Sequence, residues 1–132
     1  MRMAVTAFAI FSTLLCGCEG YSGDKPLVDS GAAMPSGTQV ALRQPVQTGD
    51  VVLTPMAVVE DSRCAIGTQC IWAGQVVVTT RIDGPGWRET IDLIAGKTAT
   101  VRGHDIALVA VSPAKTGDDM APEDYRFTYN AK

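Results

Sequence analysis

Short runs of alternating apolar and polar residues fill the chain from Thr38 onward, and Gly, Pro and Asp separate them at intervals of roughly ten residues. The run Gln75–Asp83 shows the pattern best. Its even-numbered residues are Val, Val, Thr and Ile, whereas Arg and Asp fall at odd-numbered positions. Neighbouring side chains of a β-strand point to opposite faces, so this period of two predicts a strand with one buried face.

A hairpin is predicted directly after this strand. Asp83-Gly84-Pro85-Gly86 are turn-forming residues, and the run Trp87–Leu93 alternates again. Further runs of strand-like composition are Val40–Arg43, Asp50–Thr54, Met56–Val59, Ala99–Arg102, His104–Ser112 and Tyr125–Asn130. No stretch of about ten residues shows the period of an amphipathic helix. We therefore predict an all-β domain over residues 38–132, a small antiparallel β-sandwich or barrel of about seven or eight short strands.

The N-terminus has a different pattern. Arg2 precedes a largely apolar stretch of twelve residues, Ala4–Leu15. A membrane-spanning helix needs ~20 apolar residues, so this stretch has the length of a signal-peptide core instead. Leu15-Cys16-Gly17-Cys18 resembles the lipobox of bacterial lipoproteins, in which cleavage leaves a lipidated Cys as the first residue. The resemblance implies a signal peptide over residues 1–17 and lipid attachment at Cys18; a secretory signal cleaved near Gly20 is the alternative.

The residues that follow predict where the mature chain resides. Several acyl chains on Cys18 would hold the protein firmly on a membrane, because each buried methylene contributes ~0.8 kcal/mol. Residue 19 is Glu, not the Asp that resembles the inner-membrane retention signal of some enteric bacteria. This favours the outer membrane and a domain that faces the periplasm. Gly20–Gly37 is rich in Gly, Ser, Pro and Asp, so residues 18–37 are predicted to form a lipidated, flexible tether.

Composition and charge narrow the function classes. Hydrophobic residues make up 46% of the chain and charged residues 19%, which is too apolar for a chain disordered along its whole length. The net charge is −3, and the Lys and Arg residues are scattered. A nucleic-acid surface needs a basic cluster, so we expect no nucleic-acid partner.

Two cysteines remain in the mature domain, because Cys16 is removed with the predicted signal peptide and Cys18 is predicted to carry the lipid. Cys64 and Cys70 are then each other's only partners, and an oxidising periplasm favours a disulfide. A ring of seven residues contributes ~2.4 kcal/mol by loop entropy, enough to hold a loop but not a whole fold. The alternatives are a redox pair, which usually has C-x-x-C spacing, and zinc, which would need more ligands than the single histidine His104 supplies.

The segment Glu60–Gly74, EDSRCAIGTQCIWAG, contains the candidate binding residues. Asp61 and Arg63 place charges beside the cysteine pair, and Trp72 follows Cys70 by two residues. An indole at this position either covers the disulfide or stands exposed as a recognition surface. In the structural alternative, Arg63 pairs with a carboxylate, Asp61 or Ser62 caps loop N–H groups, and Trp72 packs under the loop.

A resemblance rests on the same residues. Asp61-Ser62-Arg63-Cys64, five further residues and Cys70-Ile71-Trp72-Ala73-Gly74 resemble the motif of a group of small, largely uncharacterised bacterial lipoproteins and secreted proteins. Ala65 stands where that group usually has Pro. The end of the chain is similar as well, with Val111-Ser112-Pro113 and Glu123-Asp124-Tyr125. The group resembles no enzyme family, so the resemblance implies no catalytic residues.

Each candidate catalytic or metal site lacks a residue or a geometry that its chemistry requires. Gly96-Lys97-Thr98 lacks the earlier Gly of a phosphate-binding loop, since that position is Ile91. His104 and Asp105 are strand neighbours that point to opposite faces. The acidic residues Asp118, Asp119, Glu123 and Asp124 lack the alternating oxygen ligands of a calcium loop and are predicted to form a solvated loop. We therefore expect no enzyme activity, no cofactor and no metal.

Together these observations predict a membrane-anchored periplasmic lipoprotein that acts as a non-catalytic binding module of the cell envelope. The membrane is reached through the N-terminal lipid, and an envelope protein is the expected partner of Asp61, Arg63 and Trp72. The alternative is an inhibitor of a hydrolase, a lysozyme or a protease, that inserts the disulfide-closed loop 60–74 into the enzyme's cleft.

Overall fold

The computed structural model describes residues 32–117 and 120–132, which form two antiparallel sheets. The strands are β1 (Val46–Thr48), β2 (Val51–Asp61), β3 (Val76–Gly84), β4 (Trp87–Ile94), β5 (Thr98–Val101), β6 (His104–Ser112) and β7 (Arg126–Ala131), with one 3-10 turn at Pro122–Asp124. The predicted signal peptide, Cys18, most of the tether, Asp118 and Asp119 lie outside the described residues. Within the described ranges, no helix is long and apolar enough to cross a bilayer.

The seven strands of the described residues confirm the all-β prediction, and their arrangement distinguishes a sandwich from a barrel. The first sheet has the order β1-β2-β3-β4 and the second the order β5-β6-β7. The sheets do not join into a closed barrel, so the domain is a small sandwich. Its connections are mostly hairpins, and the β3–β4 turn falls where predicted, with Gly84 paired to Trp87.

The core lies between the two sheets and follows the predicted alternation. The even-numbered residues of β3 from Val76 to Ile82 are buried, as the period of two requires. The second sheet contributes Leu108, Phe127 and Tyr129. The Tyr129 hydroxyl lies 3.0 Å from the Thr80 hydroxyl, so a polar group of each sheet is satisfied inside the core. Burial raises the pKa of Tyr129, although the hydrogen bond to Thr80 opposes the shift.

Strand β2 is longer than predicted. The two predicted strands Asp50–Thr54 and Met56–Val59 are parts of one strand, which begins at Val51, passes through Pro55 and continues to Asp61. Pro55 is tolerated because it pairs opposite Thr80 at a register shift, which a β-bulge permits. A second shift lies between Val58 and Glu60. With these two register shifts, the last pair of the β2–β3 ladder is Asp61 opposite Val76.

The predicted strand Val40–Arg43 is wrong. Only Val40 pairs, in a single bridge to Phe127. The chain then turns, because Gln44 N–H donates to the Ala41 carbonyl at 3.2 Å and Arg43 has a positive φ of 65°. Pairing resumes in the short strand β1, which the alternation did not indicate.

Candidate functional site

The loop between β2 and β3 is anchored by an ion pair at the end of β2. Arg63 Nε donates to Asp61 Oδ1 and Arg63 Nη2 to Asp61 Oδ2, both at 2.8 Å. The side chains are largely buried, with 9% of Asp61 and 20% of Arg63 exposed. A bidentate ion pair of this kind fixes the relative orientation of the guanidinium and the carboxylate, which a single hydrogen bond does not.

The same pair ties the loop to the second sheet. Arg63 Nη1 donates to the carbonyl oxygens of Val111 at 3.2 Å and Pro113 at 3.0 Å. The Tyr125 hydroxyl donates to Asp61 Oδ2 at 2.9 Å. We call Asp61, Arg63 and Tyr125 the loop base. It joins the end of β2 to the end of β6 and the start of β7, so the loop cannot move without breaking contacts between the sheets.

The electrostatics of the loop base agree with an anchoring role. The hydrogen bond from Arg63 lowers the pKa of Asp61 to about 2; burial opposes this shift and the Tyr125 hydroxyl adds to it. The pKa of Arg63 is raised, chiefly by its hydrogen bond to Asp61. Both groups are therefore charged throughout the neutral range, which suits a fixed ion pair and not a group that exchanges protons near pH 7.

A second set of contacts closes the loop beside this pair. Ser62 N–H donates to the Gln75 carbonyl at 2.9 Å, and Gln75 N–H donates to the Ser62 hydroxyl at 3.0 Å. Gln75 Nε2 also donates to Glu60 Oε2 at 2.8 Å. Gly74 has a φ of 68°, and a Cβ there would lie 1.8 Å from the Ser62 carbonyl oxygen. Only glycine fits this approach of the two ends of the loop.

The predicted disulfide between Cys64 and Cys70 is present, and it narrows the projecting part of the loop. Inside the ring, Thr68 N–H and Oγ1 both donate to the Ala65 carbonyl, at 3.1 and 2.7 Å. Ile66 N–H donates to the Lys115 carbonyl at 2.9 Å, and Lys115 Nζ donates to the Asp61 carbonyl at 2.9 Å. Residues 64–74, which we call the clasped loop, are thus held from both sides.

The clasped loop carries three large apolar side chains that are exposed. Ile66, Ile71 and Trp72 are 68%, 90% and 79% exposed, and we call them the loop tip. Within the described part of the chain, no hydrogen bond or ring contact involves the Trp72 side chain. Trp72 therefore stands in solvent and does not pack under the loop.

The structure thus separates the three predicted binding residues. Asp61 and Arg63 lie together in the loop base, as the structural alternative expected for Arg63, whereas Trp72 lies apart from them at the loop tip. Sequence reasoning missed Tyr125 and Lys115 as partners of Asp61, since they follow it by 64 and 54 residues. It also did not predict that Ile66 and Ile71 are exposed. The nearby Trp72, a candidate for an exposed recognition residue, was the local feature that could have indicated this.

Two further features of the domain lie outside the loop. A groove of about 470 Å³ runs along the second half of β2 and is lined by Val58, Asp61, Met120 and Tyr125 among others. Elsewhere in the first sheet, buried Asp83 accepts hydrogen bonds from Arg81 Nε at 3.1 Å and from Arg88 Nε, which holds the β3–β4 hairpin together. In residues 32–117 and 120–132, no three His, Cys, Asp or Glu side chains are grouped so that they could hold a metal ion.

Comparison of the chain with protein-family models, with curated proteins and with solved structures gives no match.

Proposed function

We propose that this protein is a membrane-anchored lipoprotein of the bacterial envelope whose sandwich serves as a non-catalytic binding module, with the loop tip as its contact surface. One observation carries the proposal: Trp72 is 79% exposed on a loop whose base is a buried, two-pronged ion pair. Several exposed apolar side chains on one loop are typical of contact sites, because they gain free energy only when something covers them.

The contacts around the loop support separate roles for the loop base, which positions the loop, and the loop tip, which contacts the partner. The disulfide, the Gly74 approach and the Asp61–Arg63 pair restrict the clasped loop before any partner arrives. A surface that is ordered in advance loses less conformational freedom on binding. Asp61 and Arg63 are therefore positioning residues in this proposal, and Ile66, Ile71 and Trp72 meet the partner.

The location is proposed from the N-terminal pattern. The lipobox-like run that ends at Cys18 and the Glu at position 19 support a lipid anchor in the outer membrane with the domain in the periplasm. Mass spectrometry of the N-terminal peptide of the native protein tests this part. A Cys18 that carries thioether-linked lipid is expected, and an unmodified peptide that still contains residues 1–17 would contradict it.

A hydrolase inhibitor is the second candidate, because a disulfide-closed loop that projects from a domain has the shape to enter a cleft. Inhibition assays against purified lysozymes and serine proteases separate the two candidates. Inhibition that is lost in Trp72→Ala would favour the inhibitor.

The contact itself is tested by placing a photoreactive amino acid at position 72 of the full-length protein in intact envelopes. Val109 on β6 is the matched control, since it is also apolar and 52% exposed. Adducts, whether to protein or to lipid, are expected from position 72 in clear excess over position 109. Equal yields from the two positions would contradict the proposed contact surface.

A further inference from the structure

The loop tip differs from most of the protein surface because its surroundings in the sequence carry no charge. From Cys64 to Thr80 the chain contains no Asp, Glu, Lys, Arg or His, although 19% of all residues are charged. The three side chains of the loop tip are nevertheless largely exposed. Lys115 lies beside this stretch, since its carbonyl accepts from Ile66 N–H, but its ammonium donates to the Asp61 carbonyl at 2.9 Å. A stretch whose own side chains are apolar and uncharged suits a low-dielectric environment, in which an ionised group would be strongly disfavoured.

The size of the loop tip indicates what kind of partner it fits. A standard protein–protein interface takes about 20–30 residues and ~800 Å² from each partner, far more than three side chains on one loop provide. A lipid interface sets no such minimum, because the strength of binding follows the apolar area inserted. Tryptophan is also the residue type most typical of the boundary between membrane and water.

The backbone of the loop sets the depth of such a contact. The amide groups of Ile71, Trp72 and Ala73 have no hydrogen-bond partner in the described chain. Unpaired backbone groups are strongly disfavoured in hydrocarbon but are satisfied by water among lipid headgroups. The loop tip therefore fits the hydrated interface and not the centre of a bilayer.

The anchor predicted at Cys18 can reach the same bilayer as the loop tip. Met34 bridges to Val46, which lies opposite Leu53 of β2. From Leu53 to Asp61, β2 advances ~27 Å at ~3.4 Å per residue. The sixteen residue-to-residue steps from Cys18 to Met34 can span up to ~55 Å when extended, so the chain is long enough to place the loop end of the domain on the membrane.

We propose that the loop tip inserts shallowly into the lipid interface of the membrane that carries the anchor, with Ile66, Ile71 and Trp72 as the inserted side chains. This inference rests on the proposed function and specifies the partner as a lipid surface. The contact is driven by apolar area. Salt therefore has little effect on it, since screening acts on charges.

Tryptophan fluorescence tests the insertion, because the chain has two tryptophans and only Trp72 belongs to the loop tip. The full-length protein is reconstituted into phosphatidylethanolamine–phosphatidylglycerol vesicles, with or without lipids brominated on the first carbons of the acyl chain. Trp87→Phe leaves the signal of Trp72, and Trp72→Phe leaves that of Trp87, which packs against Arg102 and His104. Bromine should lower the emission of Trp72 roughly twofold at both low and high salt, and leave that of Trp87 unchanged.

Equal Trp72 emission in plain and brominated vesicles would overturn the proposal, and so would quenching that disappears at high salt. If Trp87→Phe does not fold, the difference between the wild-type protein and Trp72→Phe gives the same quantity. Unquenched Trp72 together with photoadducts from position 72 to a protein would leave the proposed function standing with a protein as the partner. Absence of adducts of any kind would remove the proposed function as well.

Discussion

Asp61 and Arg63 of the loop base lie within about a dozen residues of the loop tip in the sequence, but the fold places the two groups in opposite environments. Asp61 and Arg63 are charged residues, yet they are largely buried and bonded to both sheets. Ile71 and Trp72 are large apolar residues, yet they are 90% and 79% exposed. Hydrophobicity alone would predict the reverse arrangement.

The difference shows which residues serve the fold and which are free for contact. The buried charges are tolerated because every strong interaction they need is supplied by the guanidinium, the Tyr125 hydroxyl and two carbonyl groups. Ile71 and Trp72 make no comparable contact with the residues that the structure describes. Substitutions at the base should therefore change stability, whereas substitutions at the tip should change only what the protein binds.

Asp61→Ala is expected to have the largest effect on stability. It leaves the Arg63 guanidinium mostly buried without its carboxylate and removes the acceptor of the Tyr125 hydroxyl, which should lower the free energy of unfolding by about 3 kcal/mol. Urea unfolding of the full-length protein measures this. Glu89→Ala is the control, because its pair with Arg102 is well exposed and should contribute less than about 1 kcal/mol. Similar losses in the two variants would refute the structural role of the loop base.

Removal of the disulfide should have the next largest effect. Changing Cys64 and Cys70 together to Ser opens a ring of seven residues, which costs ~2.4 kcal/mol of unfolding free energy through the entropy of the unfolded chain. The measurement compares the oxidised wild-type protein with the double variant in urea. The ion pair at the base is independent of the ring, so the variant should keep its native fold; a variant that is unfolded without urea would contradict this.

Acid should remove a contribution of similar or slightly smaller size. The pKa of Asp61 is about 2 in the fold and 3.8 in the unfolded chain, so the native state binds fewer protons and stability rises with pH. The contribution, roughly 2 kcal/mol, is complete above pH 4 and is lost as the pH falls from about 4 to 2. Unfolding free energies measured over this range should decline less steeply in Asp61→Asn. Parallel curves would mean that Asp61 does not titrate as the loop base requires.

The alternation along the chain predicted much of the sandwich. The buried face of β3 and the β3–β4 hairpin follow directly from the period of two, because burial between two sheets selects one face of each strand. The continuity of β2 could not be predicted in this way. A proline normally ends an interior strand, because it cannot donate a backbone hydrogen bond. The bulge beside Pro55, opposite Thr80, lets β2 continue past it.

The candidate site was only partly predictable. The spacing of Cys64 and Cys70 identified the ring, and the charges beside it identified Asp61 and Arg63. No local pattern indicates that Tyr125 donates to Asp61, because that contact depends on how the two sheets pack. For Trp72 the sequence left both a covered and an exposed position open, since the size of an indole suits either.

Whether the fold leaves Ile71 and Trp72 free for contact is decided by the unfolding free energy of the double variant Ile71→Ala, Trp72→Ala. A value within about 0.5 kcal/mol of the wild-type protein is expected, because neither side chain is buried in the domain. A loss of about 2 kcal/mol or more would contradict it, since a change of that size would mean that these side chains pack within the fold.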